Sequence, residues 1–251
     1  MSQYAAIAKT LTEALHLRVP PIAICLTDTP PAGVAARSGP ATAGCFFWEE
    51  GSQKSFVTSV ADHENCVVGM YTHHMPISTP AQQADLNDCL NVFGDLGYVR
   101  PEDLPHIPVL EKESKHVVYS PLADAPAQPS VVLLLVDSQQ GLILTEAVQQ
   151  VEPGVPPVLG RPACAVIPQV SNTGRAAMSL GCCGARAYMN VLRDDTGLWA
   201  FPGAKIEAYA ERIAALAKAN QILTQFHQLR RKDIENGLHP SIKDSLVRLQ
   251  G

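Results

Sequence analysis

The sequence has no apolar run near the ~20 residues that a membrane-spanning helix requires. Its longest, Val131–Val136, has the length of a strand. The N-terminus has no basic segment followed by an apolar one, so no secretory leader is read there and the cytoplasm is the expected compartment. Positive charge is not in excess: 19 Lys and Arg stand against 24 Asp and Glu, a net −5. Such a chain does not grip nucleic acid or an anionic membrane through bulk charge. The one basic run, Arg230-Arg231-Lys232, reads as a solvated helix end. No G-x-S-x-G elbow, H-E-x-x-H pair, phosphate loop or paired-carboxylate signature occurs, which removes the commonest hydrolase, zinc-protease and NTPase readings. The close C-x₂₋₄-C knuckles of structural zinc are missing too.

What is present is apolar material and cysteine. Hydrophobic residues make up 46% and charged residues 17% of 251, enough for a real core in one large domain or two small ones. Seven cysteines, an odd number in a chain without a leader, are expected to be reduced thiols rather than a disulfide framework. Helical periodicity predicts a helix over 2–17. Apolar runs predict strands at Ile22–Leu26, Cys45–Trp48, Ser55–Val60, Val117–Ser120, Val131–Val136, Cys164–Ile167, Ala176–Leu180 and Leu198–Phe201. Thr79-Pro80 predicts a helix start, because Thr caps well and Pro suits the first helical position; that helix runs to about Leu96. Leu142–Gln149 and Lys205–Leu229 carry helical spacing, His63–Ile77 reads as a site loop, and the last twenty or so residues read as a tail or a docking helix.

The chain repeats a pattern. Gly39-Pro40, Cys45 before an apolar run, a second run and then Cys66-Val-Val-Gly69 is followed by Gly160-Arg-Pro162, Cys164 before an apolar run, a second run and then Cys182-Cys-Gly184. An apolar strand precedes each passage and a helix, from Pro80 or from Lys205, follows each. The expected fold is α/β, with α+β as the alternative. Its two similar halves, 1–115 and 116–230, would pack about a pseudo-two-fold axis into one unit, with 231–251 as a C-terminal tail or helix. Such an axis would bring four cysteines to one point.

Thiolates are soft ligands suited to iron–sulfur clusters or zinc. Scattered cysteines on Gly-flanked loops fit a cluster better, since glycine lets backbone N–H groups approach its sulfurs. Cys45, Cys66, Cys164 and Cys182 are the candidate ligands, with Gly69, Gly181 and Gly184 lining the cofactor. Cys183 competes with its neighbour Cys182; Cys25 and Cys89 read as core. His63 and His73, near Cys66, are candidates to move protons, and Asp62–Cys66 permits a His-assisted thiolate. Arg186 is the candidate to orient an anion, and Arg161 has the same two readings, anion contact or surface ion pair.

Gly44-Cys45-Phe-Phe-Trp48, Asp62-His63-Glu-Asn-Cys66 with Gly69, Tyr119-Ser-Pro121-Leu122, Gly160-Arg-Pro162-Ala-Cys164, Ser179-Leu-Gly-Cys182-Cys-Gly184-Ala-Arg186 and Pro202-Gly203 together resemble domain-of-unknown-function family 169, over roughly residues 10 to 230. The Gly-Cys-x-Gly-x-Arg element is the most specific part. The resemblance implies a fold unit, a bacterial or archaeal source, a suspected metal centre and Cys182 as the family-type cysteine. Where the family commonly has an apolar residue next, this chain has Cys183, and His73-His74 is a local feature. The expectation is a [4Fe–4S] protein, acting as an electron carrier or as a lyase or reductive enzyme on a small anionic substrate. The alternatives are a non-catalytic zinc, haem or small-molecule carrier and a metal-free cysteine nucleophile. The expected partner is a small-molecule substrate or a redox protein, with the Ala-rich last long helix as a possible homodimer face.

Overall fold

The computed structural model describes residues 2–250. In chain order the elements are α1 (Gln3–Leu15), β1 (Ile22–Thr27), α2 (Phe46–Gly51), β2 (Phe56–Ser59), α3 (Val67–Thr72), α4 (Pro80–Asp95), β3 (His116–Pro121), β4 (Val131–Asp137), α5 (Ser138–Val151), β5 (Val158–Leu159), α6 (Val166–Thr173), β6 (Ala177–Ser179), α7 (Cys183–Tyr188), β7 (Thr196–Pro202), α8 (Ile206–Glu235) and α9 (Ile242–Gln250). The strands form one sheet in the order β2-β3-β1-β4-β7-β6-β5. All its pairings are antiparallel except β5 with β6. The class is mixed α/β, as expected.

The sheet is buried on both faces, which is why its central strands read as unbroken apolar runs rather than alternating ones. Val131, Leu133 and Leu135 of β4 enter the same core as Phe47, Trp48, Val166 and Ile167. Val132, Leu134 and Val136 point the other way, onto Leu11, Leu144, Tyr209 and Ile213 of α1, α5 and α8. Long helices thus cover one face. The short helices α2, α6 and α7 cover the other, and Cys45, Cys164 and Cys182 pack against that second core.

The antiparallel β1–β4 pair lies within the middle of the sheet. Outward from it lie β3 and β2 on one side, and β7, β6 and β5 on the other. The expected boundary at 115/116 falls just before β3, yet β3 is hydrogen-bonded to both β1 and β2. The helices said to close each repeat do not correspond in position: α4 precedes β3, whereas α8 follows β7.

Two expected strands are helical. Cys45–Trp48 leads into α2, which buries Phe47, Trp48 and Gly51. Cys164–Ile167 lies in a 3₁₀ turn, Ala163–Ala165, and the start of α6, which buries Val166, Ile167 and Val170. Spacing of i, i+1 and i+4 is one helical face, and a four-residue apolar run cannot by itself separate that from a strand. The expected site loop over His63–Ile77 begins at the end of the 3₁₀ turn Val60–His63 and contains α3. Thr79 caps α4 as read, its Oγ1 accepting the Gln82 N–H. α8 runs past residue 230, and the Ala-rich face expected to dimerise leaves Ile222 and Leu223 exposed. Among the described residues no helix is long and apolar enough to cross a membrane.

Candidate metal centre

Four cysteines stand where helical turns begin. Cys45 and Cys66 precede α2 and α3, Cys164 sits in the turn leading to α6, and Cys182 caps α7 with its Sγ accepting the Ala185 N–H at 3.5 Å. First turns carry N–H groups with no partner inside the helix, and of the three capping cysteines only Cys182 has its sulfur met by one. The topology brings these four turns to one cavity of about 350 Å³, which all four cysteines line together with Cys89 and Cys183. The Cys45 helix is tied to the segment after α7 by Glu49, which accepts the Asn190 backbone N–H at 2.7 Å and its side-chain amide at 3.1 Å.

The thiols are close enough to act on one another. Burial pushes Cys45 up to about 12, and Cys66 and Cys182 add to the shift. Burial raises Cys164 further still, followed by Cys66, against a hydrogen bond with Thr72 Oγ1 at 3.3 Å. In the metal-free chain Cys45 and Cys164 are therefore protonated and poor nucleophiles at neutral pH.

Of the glycines, Gly69 packs on the site directly: a Cβ there would lie 2.8 Å from Cys66 Sγ. Alanine at 69 is expected to drive Cys66 out of its rotamer and to cost about 1–3 kcal/mol in urea unfolding; an unchanged midpoint would contradict this. Gly184 lines the cavity. Gly181, at φ +89°, makes the turn before Cys182 and is not among the lining residues.

Both predicted histidines line the cavity and are buried, His63 at 1% and His73 at 4% exposure. Their partners fix their tautomers. His73 Nδ1 lies 3.0 Å from the Gly69 carbonyl, which only accepts, so Nδ1 carries the hydrogen and Nε2 is bare. Thr58 Oγ1 donates to the Val117 carbonyl and so accepts from His63 Nε2 at 3.2 Å, leaving Nδ1 bare. Among the described residues neither bare nitrogen has a partner. Among the described residues no hydrogen bond joins His63 or His73 to Cys66. Burial holds His63 down at about 3, with further lowering by His73 and Arg37, and holds His73 down at about 4.

A base whose folded pKa is depressed stabilises the fold above its unfolded pKa, 6.5, and that stability is lost as pH falls through the folded value. The metal-free protein is expected to lose roughly 3 kcal/mol per histidine between pH 6.5 and pH 4. Urea unfolding across that range checks this, and His63→Gln should flatten the profile.

Arg186 is not placed to orient an anion. Its guanidinium donates to the carbonyls of Leu180, Arg193 and Thr196, knitting the Cys182 turn to the start of β7. The cation on the cavity wall is Arg161, with Nη1 3.4 Å from Cys183 Sγ. Cys89, expected in the core, instead lines the cavity from α4. That helix buries none of its own residues and lies between α3 and β3. Cys25 is a core residue as expected, buried with Val57 and Val118.

Among the described residues, no three His, Cys, Asp or Glu side chains stand close enough to share one metal ion. What the four thiols share is a cavity rather than a mononuclear coordination sphere. No curated protein and no solved structure matches this chain significantly. Residues 10–212 match the model of DUF169, described as an uncharacterised ArCR, and the chain belongs to that family.

Proposed function

We propose that this protein holds a [4Fe–4S] cluster on Cys45, Cys66, Cys164 and Cys182. The observation that carries the reading is the convergence of four thiols, from four separate turns, on one mainly apolar cavity. A cubane spreads its ligands more widely than a single ion does, so the lack of a three-ligand group within reach of one point is compatible with it. Fully ligated by cysteine such a cluster supplies one-electron transfer, and with one iron left open it supplies a Lewis acid.

The chain's own residues provide the setting. The Ala185 N–H holds the Cys182 sulfur and Thr72 Oγ1 contacts the Cys164 sulfur, both hydrogen bonds that suit thiolates. Trp48 and Tyr119 close the floor against water. Arg161 offsets negative charge at the wall, and His73 Nε2 is a bare proton acceptor buried beside the site. A redox protein or a small-molecule substrate is the partner that fits, and reduced thiols fit the cytoplasm.

Reconstitution under argon with ferrous iron and sulfide tests the proposal. The wild-type chain should turn brown and keep its colour through desalting, whereas the chain with serine at all four positions should not. A colourless wild type, or an equally coloured variant, would sink the reading.

A further inference from the structure

Arg161 faces the cavity without a carboxylate. Among the described residues it makes no ion pair, unlike Arg18, Arg37, Arg100 and Arg248. Its guanidinium carbon stands over the Tyr98 ring, 3.0 Å from the centroid, and 5.5 Å from that of Phe93. These rings fix the plane of the guanidinium. One of its five N–H donors is directed at Cys183 Sγ, and among the described residues the rest have no protein acceptor. A half-buried arginine with unused donors is completed by an oxyanion, which its planar fork meets with two parallel hydrogen bonds.

The wall beside it is apolar. Leu90 and Phe93 of α4, Val99, Leu104 and Ile107 line the same cavity. A bare inorganic anion gains nothing from such a wall, and a neutral apolar molecule leaves the arginine unpaired. We propose that the cavity binds a small organic carboxylate, its head on Arg161 and its apolar body against α4 and the segment that follows it. This deepens the proposed site by naming its ligand class, and it stands on Arg161 and the apolar wall whether or not a cluster is present.

The test is calorimetric titration of the full chain, purified anaerobically, with benzoate and with its neutral counterpart benzyl alcohol, iron being assayed on the same sample. Benzoate should bind saturably and about tenfold or more tighter than benzyl alcohol, the worth of a charge-assisted hydrogen-bonded pair. Arg161→Gln should abolish that preference while keeping the circular dichroism of wild type. Arg161→Lys, which keeps the charge and loses the fork, should restore part of it. The inference is overturned if benzoate does not bind, if it binds no tighter than benzyl alcohol, or if Arg161→Gln or Arg161→Lys leaves its affinity unchanged. Loss of iron in Arg161→Gln with the benzoate preference intact would also overturn it, assigning Arg161 to the metal alone. Benzoate bound through Arg161 by iron-free wild-type protein would overturn the cluster and uphold the carboxylate site.

Discussion

Serine at Cys45, Cys66, Cys164 or Cys182 is expected to lower retained iron to about a tenth of wild type or less, because a hydroxyl is a hard, weakly acidic ligand where a soft thiolate is needed. The effect should be similar at all four positions, since each lies on a different turn of one cavity wall. Cys25→Ser is the internal control. Its sulfur packs beside Val57 and Val118, near the Ala127 carbonyl, so it should keep full iron at a small cost in stability. Cys183→Ser decides between neighbours. Cys182 Sγ is met by a backbone N–H and Cys183 Sγ by Arg161, so the Cys183 variant should keep its iron. Iron assays on all six variants, purified side by side, check the pattern; uniform loss or uniform retention would contradict it.

Gly203→Ala is expected to destabilise the fold more than any of the cysteine changes. A Cβ at 203 would lie 1.9 Å from the Pro129 carbonyl oxygen and 2.6 Å from its carbon, and backbone cannot swing aside as a side chain can. The contact joins the end of β7 to the start of β4: Gly203 N–H donates to Ser130 O at 3.1 Å, and Ser130 N–H to Ile24 O at 2.9 Å. Forcing these apart loosens three central strands, for an expected loss of about 4 kcal/mol or more, a large share of a domain's total stability. Gly160→Ala is the contrast, because nothing lies within 4 Å of its added carbon. It should change stability by less than about 0.5 kcal/mol. Urea unfolding of the two variants checks both values, and equal midpoints would contradict the argument.

The central strands were legible because burial on both faces leaves an unbroken apolar run, as in Val131–Val136, and α4 because Thr79-Pro80 writes a cap. The turns that carry Cys45 and Cys164 look like strands in the sequence, since the few apolar residues beside each cysteine satisfy either period. The cysteine convergence was legible only as a repeated pattern, and its realisation depends on the β1–β4 pairing, a long-range fact. Cys89 was hidden because a helix facing a cavity shows the same apolar stripe as a helix facing a core. Arg186 was favoured over Arg161 on closeness to Cys182. Nothing local says that its donors are taken by three carbonyls, or that Arg161 lies against the cavity from across the sheet edge.

The most direct test of the four-cysteine centre is the amount of iron and acid-labile sulfide per chain in anaerobically purified wild-type protein. The account expects about four of each, both lost together in the fourfold serine variant. Protein that is free of iron and sulfide, or that carries one zinc and no sulfide, would contradict it.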